Sequence, residues 1–245
     1  NAITVDYVAN GGAASTSTLT LNADADIVVN NTIFLSTTDG ASDTFTLNLN
    51  ATTGVDINAA INNTSGNGKI VLGTTGTTFD NTGGAITTTG GAVDINNTGI
   101  VTIGAAINAG VGNVTIAGTD SAFGGSMATS IVDGGGTITS SGTVLLEASG
   151  AVGASGAEID LAATGTLQAQ AGTNAYISNT GAMSLGASSA VGVMSVTNAG
   201  TVNITGAVSA GTTGSVSITA TGANNDITVG NTITAGTVSG SVTLI

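Results

Sequence analysis

Two β-branched residues at alternate positions, followed four residues later by a third, recur along this 245-residue chain. The copies are Ile27-Val29-Ile33, Val55-Ile57-Ile61, Val101-Ile103-Ile107, Val202-Ile204-Val208 and Ile227-Val229-Ile233. Alternation at period 2 puts both members of a pair on one face of a strand, and the short gap leaves room only for a corner. The first and last copies agree further. Asp26-Ile27 with Val29 and Asn31-Thr32-Ile33 returns as Asp226-Ile227 with Val229 and Asn231-Thr232-Ile233. Several copies are followed by Gly, a few small polar residues and another alternating pair, as at Val114 and Ile116, Val216 and Ile218, or Val242 and Leu244. The unit is therefore strand, corner, strand. Several units are preceded by an Asn-x-Gly step, at Asn97 to Gly99, Asn179 to Gly181 and Asn198 to Gly200. Asn and Gly both tolerate the left-handed backbone, so these steps are expected to be left-handed corners.

One supersecondary unit repeated from end to end is the signature of a solenoid, whose layers bury a core only by stacking. The expected fold is all-β, a right-handed parallel β-helix running as one continuous solenoid over residues 1–245. Equivalent positions lie 19 residues apart between Met183 and Val202 and 25 apart between Val202 and Ile227, so the coils are irregular. At that length the chain makes roughly 10 to 12 coils, and inward Val, Ile and Leu stack rung on rung about 4.8 Å apart. Ile27, Val29, Ile57, Ile103, Ile116, Ile204, Ile218 and Val229 are expected inward. Outward Thr and Ser, and Asn stacked into amide ladders at turns, complete the picture. A β-sandwich or barrel remains open on strand length alone. Residues 119–136 lack a clean alternating strand before Thr137-Ile138, which predicts a longer loop or a hinge there.

Four Phe, two Tyr and no Trp leave a narrow core of small branched side chains. Fourteen acidic residues against one Lys give a net charge of −13, which opposes binding to nucleic acid and to anionic membrane surfaces. Mean hydropathy is positive, against the composition of a disordered chain. There is no Cys for a disulfide or thiolate metal site, and no apolar run reaches the roughly 18 residues that span a bilayer. No membrane insertion is expected.

With no His or Arg and only Lys69, the chain cannot assemble a basic site to neutralise a uronate and abstract its proton. Carboxylate chemistry of the glycosidase kind needs only paired acids. The candidates are Asp24 with Asp26, Asp39 with Asp43, and Glu158 with Asp160, each spaced to share one side of a strand. A sugar cleft also needs aromatic platforms, which are scarce here, so solvated surface carboxylates are the preferred reading. Asp39 to Asp43 has the oxygen-rich look of a weak calcium loop, but neither an EF-hand nor nonapeptide calcium repeats are present. Lys69 follows Gly68 without the spacing or hydroxyl of a phosphate loop. The sequence thus assigns no catalytic, cofactor-binding or metal-ligating residue, and the expectation is a non-enzyme.

Val101-Thr102-Ile103-Gly104-Ala105-Ala106-Ile107-Asn108-Ala109-Gly110 and Val202-Asn203-Ile204-Thr205-Gly206-Ala207-Val208-Ser209-Ala210-Gly211 resemble the repeats of filamentous-haemagglutinin-like bacterial exoproteins. That resemblance, to two-partner-secretion or autotransporter-type adhesins, implies a β-helix exported across the outer membrane and working at the cell surface as an adhesive fibre. It carries no catalytic residue across. Other readings are a calcium-dependent S-layer or sheath lattice protein and a carboxylate-dependent polysaccharide-active β-helix. Asn1-Ala2-Ile3-Thr4-Val5 begins directly with alternation and Val242-Thr243-Leu244-Ile245 ends within it, where solenoids facing water carry polar caps. The expectation is a processed product or a window of a longer fibre, stacked head to tail on further copies of the same repeat. Host-cell, neighbouring-cell or polysaccharide surfaces are the other expected partners.

Overall fold

The structure, a computed structural model, describes residues 3–7, 16–37, 44–65, 69–88, 90–116 and 127–245. Every regular element among them is a β-strand, and the strands pair in parallel, in register, with the equivalent strand one coil later. This is a parallel β-solenoid, not a sandwich of antiparallel sheets.

The first sheet stacks eleven strands, from Ile3–Tyr7 to Val242–Leu244. Its central positions follow one another as Ile33, Ile61, Ile86, Ile107 and Ile138. Eleven rungs at the usual strand separation make a rod about 50 Å long. Coil length runs from 18 residues, where Ile159 pairs with Ile177, to 31, where Ile107 pairs with Ile138. That spread exceeds the 19 to 25 read from the sequence because corners absorb extra residues, with a register shift between Asn108 and Gly110 in the longest coil.

On the second sheet a column of apolar side chains runs through Leu19, Leu47, Leu72, Val93, Val114, Val144, Leu167, Leu185, Ile204 and Val229. Every member between the two ends is buried. Each such side chain contributes about 1.5–3 kcal/mol by leaving water. Of the expected inward residues, Val29, Ile57, Ile103, Ile116, Ile204 and Ile218 are buried, and Ile27 packs partly buried against the core. Val229 differs. It continues the column beyond Ile204 but is 49% exposed, because no further rung stacks on it.

The third sheet holds five strands: Ile27–Val29, Gly54–Ile57, Thr78–Asp80, Ile100–Ile103 and Ser130–Asp133. The last falls within the 119–136 stretch that the sequence marks as a longer loop or hinge, in the 31-residue coil between Ile107 and Ile138. Ser130–Asp133 is a strand, in register with Ile100–Ile103, and its alternation is weak only because Asp133 stands opposite Ile103. Residues 119–126, Phe123 among them, lie outside the described residues.

Beyond Ser130–Asp133 the faces are redistributed. Ile131 bridges Val152, and Val152 bridges Ala175, which opens a strand of the first sheet, so the third sheet merges into the first. Meanwhile the second sheet divides. Thr166–Ala171 pairs at its start with Met183–Leu185 and at its end with Ser188–Ala190, and the latter founds a new face continued by Val208–Ala210 and Ile233–Thr234. Consequently the unit Val55-Ile57-Ile61 passes from the third sheet to the first, whereas Val202-Ile204-Val208 passes from the second sheet to the new face. One sequence unit serves different sheets in the two halves.

Corners explain the glycine content. Gly112, Gly142 and Gly165 stack on one another, and a Cβ on Gly165 would overlap the carbonyl oxygen of Gly142. The Asn-x-Gly steps meet the expectation of a left-handed corner only at Gly181, whose φ is 99°. Among described non-glycine residues only Asn224 has a positive φ, so Asn97, Asn179 and Asn198 are not left-handed. They are buried caps instead. Asn97 accepts from the Thr74 hydroxyl at 3.0 Å and donates to the Thr78 carbonyl at 2.7 Å. Asn179 accepts from the Ala163 amide at 2.8 Å and donates to Asn198 Oδ1 at 2.6 Å, and Asn198 donates to the Gly200 carbonyl at 2.7 Å. A short amide side chain satisfies corner groups that would otherwise be buried without partners. Shorter outward amide ladders join Asn50 to Asn22 and Asn58 to Asn30.

Candidate functional site

Backbone ladders use up the strands, so any functional group must stand on the outer faces, at corners or at the open ends. The carboxylates come first. Asp24 and Asp26 lie exposed in the bend between Thr16–Ala23 and Ile27–Val29, rather than on one side of a strand as their spacing suggests. Glu158 precedes the Ile159–Ala163 strand and accepts from the Gly156 amide at 3.1 Å, while Asp160 points outward from that strand. Asp39 and Asp43 lie outside the described residues. Lys69 opens the Lys69–Gly76 strand, in register with Thr44.

The structure brings together carboxylates that spacing did not single out. Asp56 and Asp80 are register partners on adjacent rungs of the third sheet, and Asp26 lies close enough to act on Asp56. Partial burial, then repulsion from Asp80 and Asp26, holds the Asp56 carboxyl above the usual carboxylate range. Asp80 is engaged locally, accepting from the Thr82 amide at 2.7 Å and from the Thr82 hydroxyl. Nothing in the local sequence marks Asp56 and Asp80 as neighbours, because their contact depends on a 24-residue coil closing in register.

A second group sits on the outer side of the second sheet. Asp94 stands between Gly73 and Thr115 and is only 6% exposed. Burial pushes its carboxyl upward, and a hydrogen bond with the Thr115 side chain partly opposes the shift. Asn96, Thr115, Leu145 and Glu147 are buried on the same stretch, so this outer face is covered rather than open to a ligand. Among the described residues no group of three or more His, Cys, Asp or Glu could hold a metal ion.

Concavities on the rod are shallow. One of about 330 Å³ lies beside Leu21, Val28 and Ile33, and one of about 250 Å³ lies where the third sheet ends, beside Val132, Asp133 and Ala154. Others follow the outer line of Gln170, Ser189 and Ser209. Asp133 is the one titratable side chain lining these hollows, and its carboxylate already accepts from the Gly135 amide at 2.8 Å. None of these hollows is lined by more than one carboxylate.

The ends of the described rod leave open apolar positions that are covered on inner rungs. Val242 and Leu244 continue the positions of Val216 and Ile218, which are fully buried, yet they are 44% and 42% exposed. With Val229 they form an apolar cross-section. At the opposite end Leu21 is 40% exposed, whereas its register partner Leu49 is fully buried. Val229, Val242 and Leu244 at the last coil, and Leu21 among the described residues at the first, are thus side chains that another coil of this kind would cover.

No family model matches the chain, and no curated protein or solved structure matches it.

Proposed function

We propose that the chain is a structural segment of an extracellular, cell-surface fibre, a rigid rod that carries attachment between cells or to a surface without catalysing a reaction. The observation that supports this reading is the unbroken apolar column from Leu19 to Val229, in which every intermediate member is buried while Leu19 is only partly buried and Val229 is half exposed. Such columns extend by translation. A further coil, from the same polypeptide or from a second copy, would bury Val229, Val242 and Leu244 as Ile204, Val216 and Ile218 are buried. Head-to-tail contacts of this kind do not close, so they propagate into filaments. The acidic, Lys-poor outer surface keeps such rods apart laterally through like-charge repulsion.

The test is microscopy of the protein in its native context. Filaments one solenoid wide on the cell surface, labelled by an antibody raised against this segment, together with reduced attachment when the segment is deleted, are the expected results. Surface labelling without filaments, or unchanged attachment on deletion, would remove the fibre role or the adhesive role respectively.

A further inference from the structure

We draw no further inference here: the strongest candidate, the open apolar cross-section formed by Val229, Val242 and Leu244 at the last coil, belongs to the stacking surface already described, and nothing in the structure shows whether the same chain or a second copy covers it.

Discussion

Replacing Ile177 by Ala measures how much each rung depends on the one above and below. Ile177 is 1% exposed and stacks between Ile159 and Val196. The change removes three carbons, worth about 2.4 kcal/mol in transfer at about 0.8 kcal/mol each. A cavity term adds to this, because both neighbouring strands are held in register by backbone hydrogen bonds and cannot collapse inward; the sum is about 3–4 kcal/mol. Ile177→Asp should cost more, since its carboxylate would sit between two apolar rungs without a partner. Ser178→Ala is the control: Ser178 points outward between Asp160 and Thr197, and its change should stay within about 0.5 kcal/mol. In urea, followed by far-ultraviolet circular dichroism, Ile177→Ala should lower the midpoint clearly and the control should not. Amide exchange should read the same effect locally. In a one-dimensional stack the Ile159–Ala163 and Met194–Ala199 strands feel the loss first, and a 3 kcal/mol local destabilisation accelerates their exchange by roughly a hundredfold. Equal effects from Ile177→Ala and Ser178→Ala, or a loss below about 0.5 kcal/mol for the former, would refute the stacked-core account.

Asp56 and Asp94 both have folded-state carboxyls raised above their ordinary value of 3.8, so between the unfolded and folded pKa values the native rod binds more protons than the unfolded chain. This contribution is therefore fully present below pH 3.8 and is lost as pH rises through the folded values. Asp94→Asn should raise the melting temperature at pH 7 and change it little near pH 3.5; a larger gain in acid would reverse the assigned sign. Gly165→Ala should destabilise far more than Gly156→Ala, because the first overlaps Gly142, whereas the second has open space and pays only for its φ of 82°, about 1 kcal/mol. Comparable denaturation midpoints for the two would exclude close corner stacking. Asn198→Leu should cost about 2–4 kcal/mol by stranding Asn179 and the Gly200 carbonyl, and a neutral result in the same urea assay would mean that these caps are replaceable by water.

The outer surfaces were less legible than the core. Asp24 with Asp26 was visible as a pair because its members are close in sequence, yet the bend between two sheets takes them off any strand face. Asp56 with Asp80 was invisible because nothing in either local sequence declares its partner one coil away. Asp94 reads as an ordinary outward residue by alternation, and only the fold shows its position covered.

The recurring alternation of Val, Ile and Leu, punctuated by Gly and Asn, determined by itself that the chain forms short parallel rungs around a narrow aliphatic core. Period-2 patterning is local, and a strand needs nothing distant to decide which of its faces is apolar. The tertiary structure alone decided which sheet each unit joins. Ile57 and Ile204 occupy the same place in the same motif, but one faces the core from the third sheet and the other from the second. Sheet membership depends on what the previous coil offers as a hydrogen-bonding edge, and that edge changes when the third sheet merges into the first through Val152 and the second divides beyond Ala171. The Asn corners follow the same logic. Composition could say that Asn97, Asn179 and Asn198 stand at turns, but their choice of buried capping over a left-handed backbone depends on carbonyl and amide groups supplied by neighbouring segments and coils, at Thr78, Ala163 and Gly200.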